Sequence, residues 1–190
     1  MAILPIRTFG DPVLRQRAQE VTSFDDSLAR LAEDMLETMY EAPGVGLAGP
    51  QVGVEKRIFV YDCGDGPAAV VNPEIFERSG IWSYEEGCLS VPGLHWSIDR
   101  PARVVLRGFD LDGNAIEIEA DELTGRCFQH EVDHLDGMLL LERLGPEERK
   151  TAMGTLRRRT LSVRHMAASP HLPSTENASS TLPGMPPKDP

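Results

Sequence analysis

Cysteine and histidine are scarce in this chain, three and five among 190 residues. The odd cysteine count (Cys63, Cys88 and Cys127) does not suit a disulfide framework. Residues Met1 to Gly10 lack the basic start and long apolar run of a secretory segment. Long hydrophobic runs are missing throughout, so no segment reads as a membrane span and no membrane partner is expected. An excess of positive charge is missing too. With 19 Lys and Arg against 30 Asp and Glu, the net charge of -11 argues against a general or sequence-specific nucleic-acid binder. The expected compartment is a reducing cytoplasm, where a metal thiolate is more plausible than a disulfide.

What remains is ordinary globular composition, 41% hydrophobic and 26% charged, long enough for one domain with a real core. Ser23, with Asp26 three residues on, resembles a capping box. Leu28, Leu31, Met35, Leu36 and Met39 then recur at helical spacing, predicting an amphipathic helix that ends near Tyr40. Ala42-Pro43-Gly44 stops it, and a glycine-rich stretch runs from Gly44 to Gln51. Arg57 to Tyr61 reads as a strand. Val104 to Leu111 and Ala115 to Ala120 flank Asp112-Gly113, a hairpin signal. A second helix is expected from Asp121 to about Asp136, closed by Gly137. A third is expected at about 146–166, with Pro146 in its first turn. The expected organisation is a single catalytic domain over 1–166, followed by a disordered tail over 167–190, which is rich in Pro, Ser and Thr.

His130-Glu131-Val132-Asp133-His134 is a His-Glu-x-x-His pattern. On a helix, residues four apart share a face, so both imidazoles can reach one ion with the glutamate beside it. With histidine this scarce, coincidence is a poor explanation. The third ligand decides the class. A metzincin needs histidine where this chain has Leu140, and a thermolysin-like peptidase needs a downstream acid where it has Met153-Gly154-Thr155. A zinc peptidase cutting internal bonds therefore lacks a ligand. Upstream, Cys88 sits in Glu86-Gly87-Cys88-Leu89-Ser90, a polar setting unlike that of a buried hydrophobe. Cys63 and Cys127 are read as small core residues.

Three segments together resemble the peptide deformylases: Gly44 to Gln51, Glu86 to Ser90, and Gln129 to His134. The likeness spans roughly residues 1 to 150, including Ile6 to Arg15, Val71-Asn72-Pro73 and Leu135 to Leu144. It implies an α+β fold, with antiparallel β-sheets packed around a central metal-bearing helix and a C-terminal helix. It also implies a hydrolase that removes the formyl group from the N-terminal formyl-methionine of new polypeptides, by attack of metal-bound water or hydroxide. Cys88, His130 and His134 are the implied metal ligands, leaving one tetrahedral position open. Glu131 is the implied acid/base. The Gln51 side-chain amide and the Leu89 backbone N–H are the implied oxyanion donors. The resemblance favours Fe2+, with Zn2+, Ni2+ or Co2+ as substitutes in a purified sample; a Cys-His-His set suits iron or zinc by softness.

Gly44, Val45 and Gly46 suit close approach by an extended peptide, and equally a tight turn. The resemblance lines the methionine pocket with Val45, Tyr84, Leu123, Cys127 and His130, though Leu123 and Cys127 also read as core. Tyr84 and Arg126 stand where relatives are often aliphatic. Glu86, beside Gly87, is expected to anchor the Cys88 loop through Arg100 or Arg103. Gly49 replaces a second alanine of the first motif and is expected to loosen that loop. The 146–166 helix is locally basic, with Arg149, Lys150, Arg157, Arg158, Arg159 and Arg164 against Glu147 and Glu148. It reads either as a solvated face or as a ribosome-docking element like that of bacterial relatives.

Overall fold

A computed structural model describes residues 2–167, with side chains as far as 159. The described residues divide into two units, with the boundary between Met153 and Gly154. The first holds all the described strands and two of the helices. The second is described only as the later part of the C-terminal helix. The expected tail over 167–190 lies outside the described residues, apart from Ala167.

Helix α1 spans Asp26–Glu41. Its cap is Asp25, not Ser23: the Asp25 carboxylate accepts from the backbone N–H groups of Ser27 (2.9 Å) and Leu28 (3.2 Å). Ser23 instead donates its hydroxyl to Asp25. A carboxylate at the positive end of the helix outcompetes a hydroxyl two residues away.

Strands β1 (Gly46–Ala48), β2 (Ile58–Tyr61), β3 (Ala68–Ser79), β6 (Arg103–Phe109) and β7 (Ala115–Asp121) form one antiparallel sheet in the order β1-β2-β3-β6-β7. Strands β4 (Trp82–Gly87) and β5 (His95–Arg100) pair separately. β3 bulges at Asn72-Pro73, where proline cannot serve a ladder. Asn72 adopts a positive φ of 50° and exchanges two hydrogen bonds with the Val21 backbone. The β6–β7 turn begins earlier than the hairpin pattern suggests. Asp110 ends β6 by accepting the N–H groups of Asp112 and Asn114, and Gly113 supplies the positive φ.

Helix α2 spans Glu122–Leu135 and α3 spans Pro146–Ala167. Successive residues of β2 point to opposite faces of the sheet. Ile58 and Val60 pack with Leu28, Met35 and Met39 of α1, whereas Phe59 packs with Phe128 and Val132 of α2. Covered on both faces, β2 has no polar alternation. Phe128 is fully buried, with its ring 5.7 Å from Phe59 and 4.8 Å from Tyr61. Burying such a ring contributes about 1.5–3 kcal/mol and fixes α2 against the sheet. α2 thereby becomes the central helix, buried at Gly125 to Gln129 and again at Glu131 to Leu135.

Gly49 overturns the expectation of a loosened loop. It is buried at the start of a 3-10 turn, Gly49–Val52, and a Cβ there would lie 2.6 Å from the Lys56 carbonyl oxygen. The contact is backbone against backbone, so little can yield. Gly49→Ala is expected to destabilise the fold by about 1–3 kcal/mol, the usual cost of overpacking, as read from urea unfolding. An unchanged midpoint would show that the 49–56 segment shifts freely.

Candidate metal and catalytic centre

Cys88 follows β4 directly and opens a turn closed by the Val91 N–H onto its carbonyl. His130 and His134 sit one turn apart on α2 and face it. The Cys88 sulfur lies 3.2 Å from His134 Nε2, and one donor atom from each of the three residues lies within 4.8 Å of the others. Burial alone would push the Cys88 thiol up. The imidazoles of His134 and His130 outweigh burial and hold it well below its ordinary value, favouring the thiolate. A thiolate and two imidazoles are a donor set for a divalent transition metal, whose bonds to sulfur and nitrogen run about 2.0–2.3 Å. Glu131 lines the same cavity, and its Oε2 is buried without a hydrogen-bond partner among the described residues. That orphaned oxygen beside the donors fits a site that holds a cation and a water. Burial raises the Glu131 carboxyl above its ordinary value, partly offset by His130 and His134.

Glu86 resolves the choice between Arg100 and Arg103. Arg100 donates Nε to Glu86 Oε1 at 2.6 Å and NH2 to Oε2 at 3.0 Å, whereas Arg103 pairs with Glu119 and Asp121 on the exposed hairpin. Glu86 Oε2 also meets His130 Nδ1 at 3.1 Å, which leaves the His130 Nε2 for the cluster. Burial would raise the Glu86 carboxyl, but His130 and Arg100 win and draw it down to about 2. Asp133 extends the network, accepting from Arg100 at 2.9 Å and from Arg143 Nε at 3.0 Å. No such tether reaches His134, whose Nδ1 is buried without a partner among the described residues.

Gln51 is fixed by its own acceptor. Its Oε1 takes the Ala48 N–H at 2.8 Å, which turns Nε2 toward Ser90 Oγ (3.3 Å) and the Cys88 sulfur (3.9 Å). The N-terminal segment clamps both loops, Arg7 N–H onto Gln51 and Phe9 N–H onto Ser90. Leu89 adjoins Cys88 and lines the cavity.

That cavity, about 450 Å³, brings together Gly44, Val45, Gly46, Gln51, Tyr84, Glu86, Gly87, Cys88, Leu89, Leu123, Cys127, His130 and Glu131. Every site residue expected from sequence lines it except His134, which is buried behind it. Among the described residues β1 has a strand neighbour on one side only, which leaves its other edge available to an extended chain. Gly46 is a close-approach glycine, since a Cβ there would lie 2.5 Å from Glu131 Oε1 and 2.7 Å from the Cys127 sulfur. Leu123, expected to lean toward core, is 39% exposed at the cavity wall. Cys63, read as core, is only partly buried, and Cys127 draws its thiol below the ordinary value.

Sequence reasoning assigned no role to His95, which also lines the cavity, or to Asp133. Arg126 was placed near the pocket without its contact to Glu86. Only a charged side chain at a buried helical position could have pointed to it.

A sequence profile described as Polypeptide deformylase matches residues 3–150. The chain is 50% identical to the peptide deformylase of Acidothermus cellulolyticus, covering 83% of this chain and 87% of that one. It is 52% identical to peptide deformylase 1 of Corynebacterium efficiens, covering 83% and 96%. The crystal structure of the Thermotoga maritima peptide deformylase superposes with a TM-score of 0.75 at 48% identity, covering 77% of this chain and all of that one. That from Legionella pneumophila gives 0.80 at 40% identity, covering 89% and 100%.

Proposed function

The chain belongs to the polypeptide deformylase family, and from that premise we propose that Cys88, His130 and His134 hold its catalytic divalent cation. It is a metal-dependent hydrolase that removes the formyl group from the N-terminal methionine of nascent polypeptides. The observation that carries the site assignment is the convergence of a low-lying thiol, two imidazoles and an unpartnered buried carboxylate oxygen in one cavity. When bound, the cation supplies Lewis acidity that lowers the pKa of a water.

Glu131 would take a proton from the water that adds to the formyl carbon and deliver it to the amine nitrogen as the C–N bond breaks, releasing formate and the free amine. Gln51 Nε2 and the Leu89 N–H donate to the oxygen of the formyl carbon as charge develops on it. Because Ala48 pins the other end of the Gln51 amide, the donor is already aimed before substrate arrives. Gly44, Val45 and Gly46 receive the peptide backbone along the open β1 edge. Val45, Tyr84, Leu123 and Cys127 enclose the methionine side chain. Glu86 and Gly87 hold the Cys88 loop in register. Gln51→Leu is expected to lower kcat by about 10²–10³ with little change in KM, measured on a formyl-Met peptide. A change confined to KM would remove Gln51 from the oxyanion role.

Ferrous iron is the proposed native metal on the family resemblance, since the softness of a Cys-His-His set suits iron and zinc alike, and metal analysis after anaerobic purification tests it. The proposed setting is the cytoplasm, where nascent chains emerge. Among the described residues no helix is long and apolar enough to cross a membrane. The basic stretch of α3 is proposed to dock on the ribosome. Unchanged co-sedimentation after neutralising Arg157 to Arg159 would reject that. For the activity itself, the decisive assay is anaerobic hydrolysis of a formyl-Met peptide with added Fe2+ or Ni2+. Turnover is expected, and none in the loaded protein would overturn the reading.

A further inference from the structure

Arg126 lies one helical turn before His130 on α2, so the two side chains project from the same face. Both reach Glu86: Arg126 NH1 donates to Oε1, while His130 Nδ1 meets Oε2. The same guanidinium donates to the Ile98 carbonyl at 3.0 Å and to the Trp82 carbonyl. Its central carbon lies 4.7 Å from the Trp82 ring centre and 5.7 Å from that of Tyr84. Those two rings stack at 4.8 Å with 29° between their planes. Arg126 and Tyr84 both line the cavity.

The charges also balance. Two buried carboxylates, Glu86 and Asp133, face two buried guanidiniums, Arg100 and Arg126, with the more exposed Arg143 closing on Asp133. Without Arg126, Arg100 would be the one guanidinium left on Glu86, and Glu86 Oε1 would keep one donor of two. A lysine could restore the charge, but its compact ammonium has no plane for aromatic rings to stack on. An aliphatic residue could restore neither.

We propose that Arg126 is a positioning and specificity residue that joins the aromatic wall of the methionine pocket to the carboxylate orienting His130. This rests on the deformylase reading of the cavity. One part of the guanidinium lies against Trp82, which stacks on Tyr84 from outside the cavity and so holds the Tyr84 ring as a flat wall for an unbranched thioether side chain. Another holds Glu86 in the register that His130 requires. Pocket shape and metal-site geometry therefore depend on one side chain.

The test uses the full chain loaded with Co2+, reading Co2+ affinity, the visible absorption of the bound ion, and kcat/KM for formyl-Met against formyl-Leu peptides. Arg126→Leu is expected to weaken Co2+ binding about 10–100-fold and shift the absorption bands, the usual scale for a group that orients a ligand. Arg126→Lys is expected to keep Co2+ affinity near wild type. In that variant and in Trp82→Leu, the preference for formyl-Met should change by roughly 10-fold, as pocket-shape changes do. Trp82→Leu keeps the backbone carbonyl and hence every polar contact, so it carries the specificity test even if Arg126→Leu fails to fold. Arg126→Leu with wild-type Co2+ affinity and spectrum would overturn the proposal. So would an unchanged preference in both Arg126→Lys and Trp82→Leu. Inactivity of the wild-type chain on formyl-Met would instead overturn the deformylase reading itself.

Discussion

Glu131→Gln is expected to slow deformylation by about 10²–10⁴-fold while leaving the metal content unchanged. The replacement keeps the shape and burial of the side chain, so the cavity and the Cys88, His130 and His134 donors stay in place. What disappears is an oxygen able to take a proton. Burial raises this carboxyl above its ordinary value of 4.5, so protonation silences it at a higher pH than it would an exposed glutamate. The sign follows directly. Activity is present above the folded pKa and is lost as pH falls through it, and this acid limb should vanish in the glutamine variant. A pH–rate profile of both proteins, with metal analysis on the same samples, reads all three quantities. Wild-type rates in Glu131→Gln would remove the residue from proton transfer.

Cys88→Ala should have the other large effect, the loss of bound metal and of activity together. The two imidazoles that remain come from one turn of α2 and offer only two donors. The thiolate supplies the single negative charge among the three ligands, and its low-lying proton makes it ready to bind at neutral pH. Dialysis followed by metal analysis should find the wild type near one ion per chain and the variant near none. The metal-linked part of thermal stability should go with it. A ligand that binds only the folded state stabilises by about 2.7 kcal/mol at a hundredfold excess over its Kd. A chelator should therefore lower the Tm of the wild type and leave that of Cys88→Ala unmoved. Stoichiometric metal in the variant would mean that the cation sits elsewhere.

The parts of this molecule that were legible in sequence are those whose signals are local. α1 announces itself by apolar spacing, the β6–β7 hairpin by Asp112-Gly113, and α2 by its His-Glu-x-x-His pattern and the Gly137 that closes it. β4 gives no such signal, because only Glu86 among its six residues is buried, and that residue is charged. β3 loses its period of two at the Asn72-Pro73 bulge. Of the electrostatic frame, the Glu86–Arg100 pair is legible as one of two choices, whereas Arg126 and Asp133 are hidden for a different reason. Glu86 meets Arg126 across 40 residues, and Arg100 meets Asp133 across 33, so no window along the chain contains both partners. The displaced cap is instructive as well. Ser23 and Asp25 are both good capping residues two positions apart, and only the backbone geometry selects between them.

β1 is three residues long, preceded by the turn at Pro43 and Gly44 and followed at once by Gly49-Pro50. An open sheet edge invites pairing with any extended chain, including another copy of the same protein, and this is a common route to aggregation. Here the invitation extends over a few hydrogen bonds only. A long strand from a misfolded neighbour finds little ladder to extend. On the proposed reading, in which a peptide end pairs with β1, the shortness of that strand would favour a short chain end over the interior of a long polypeptide.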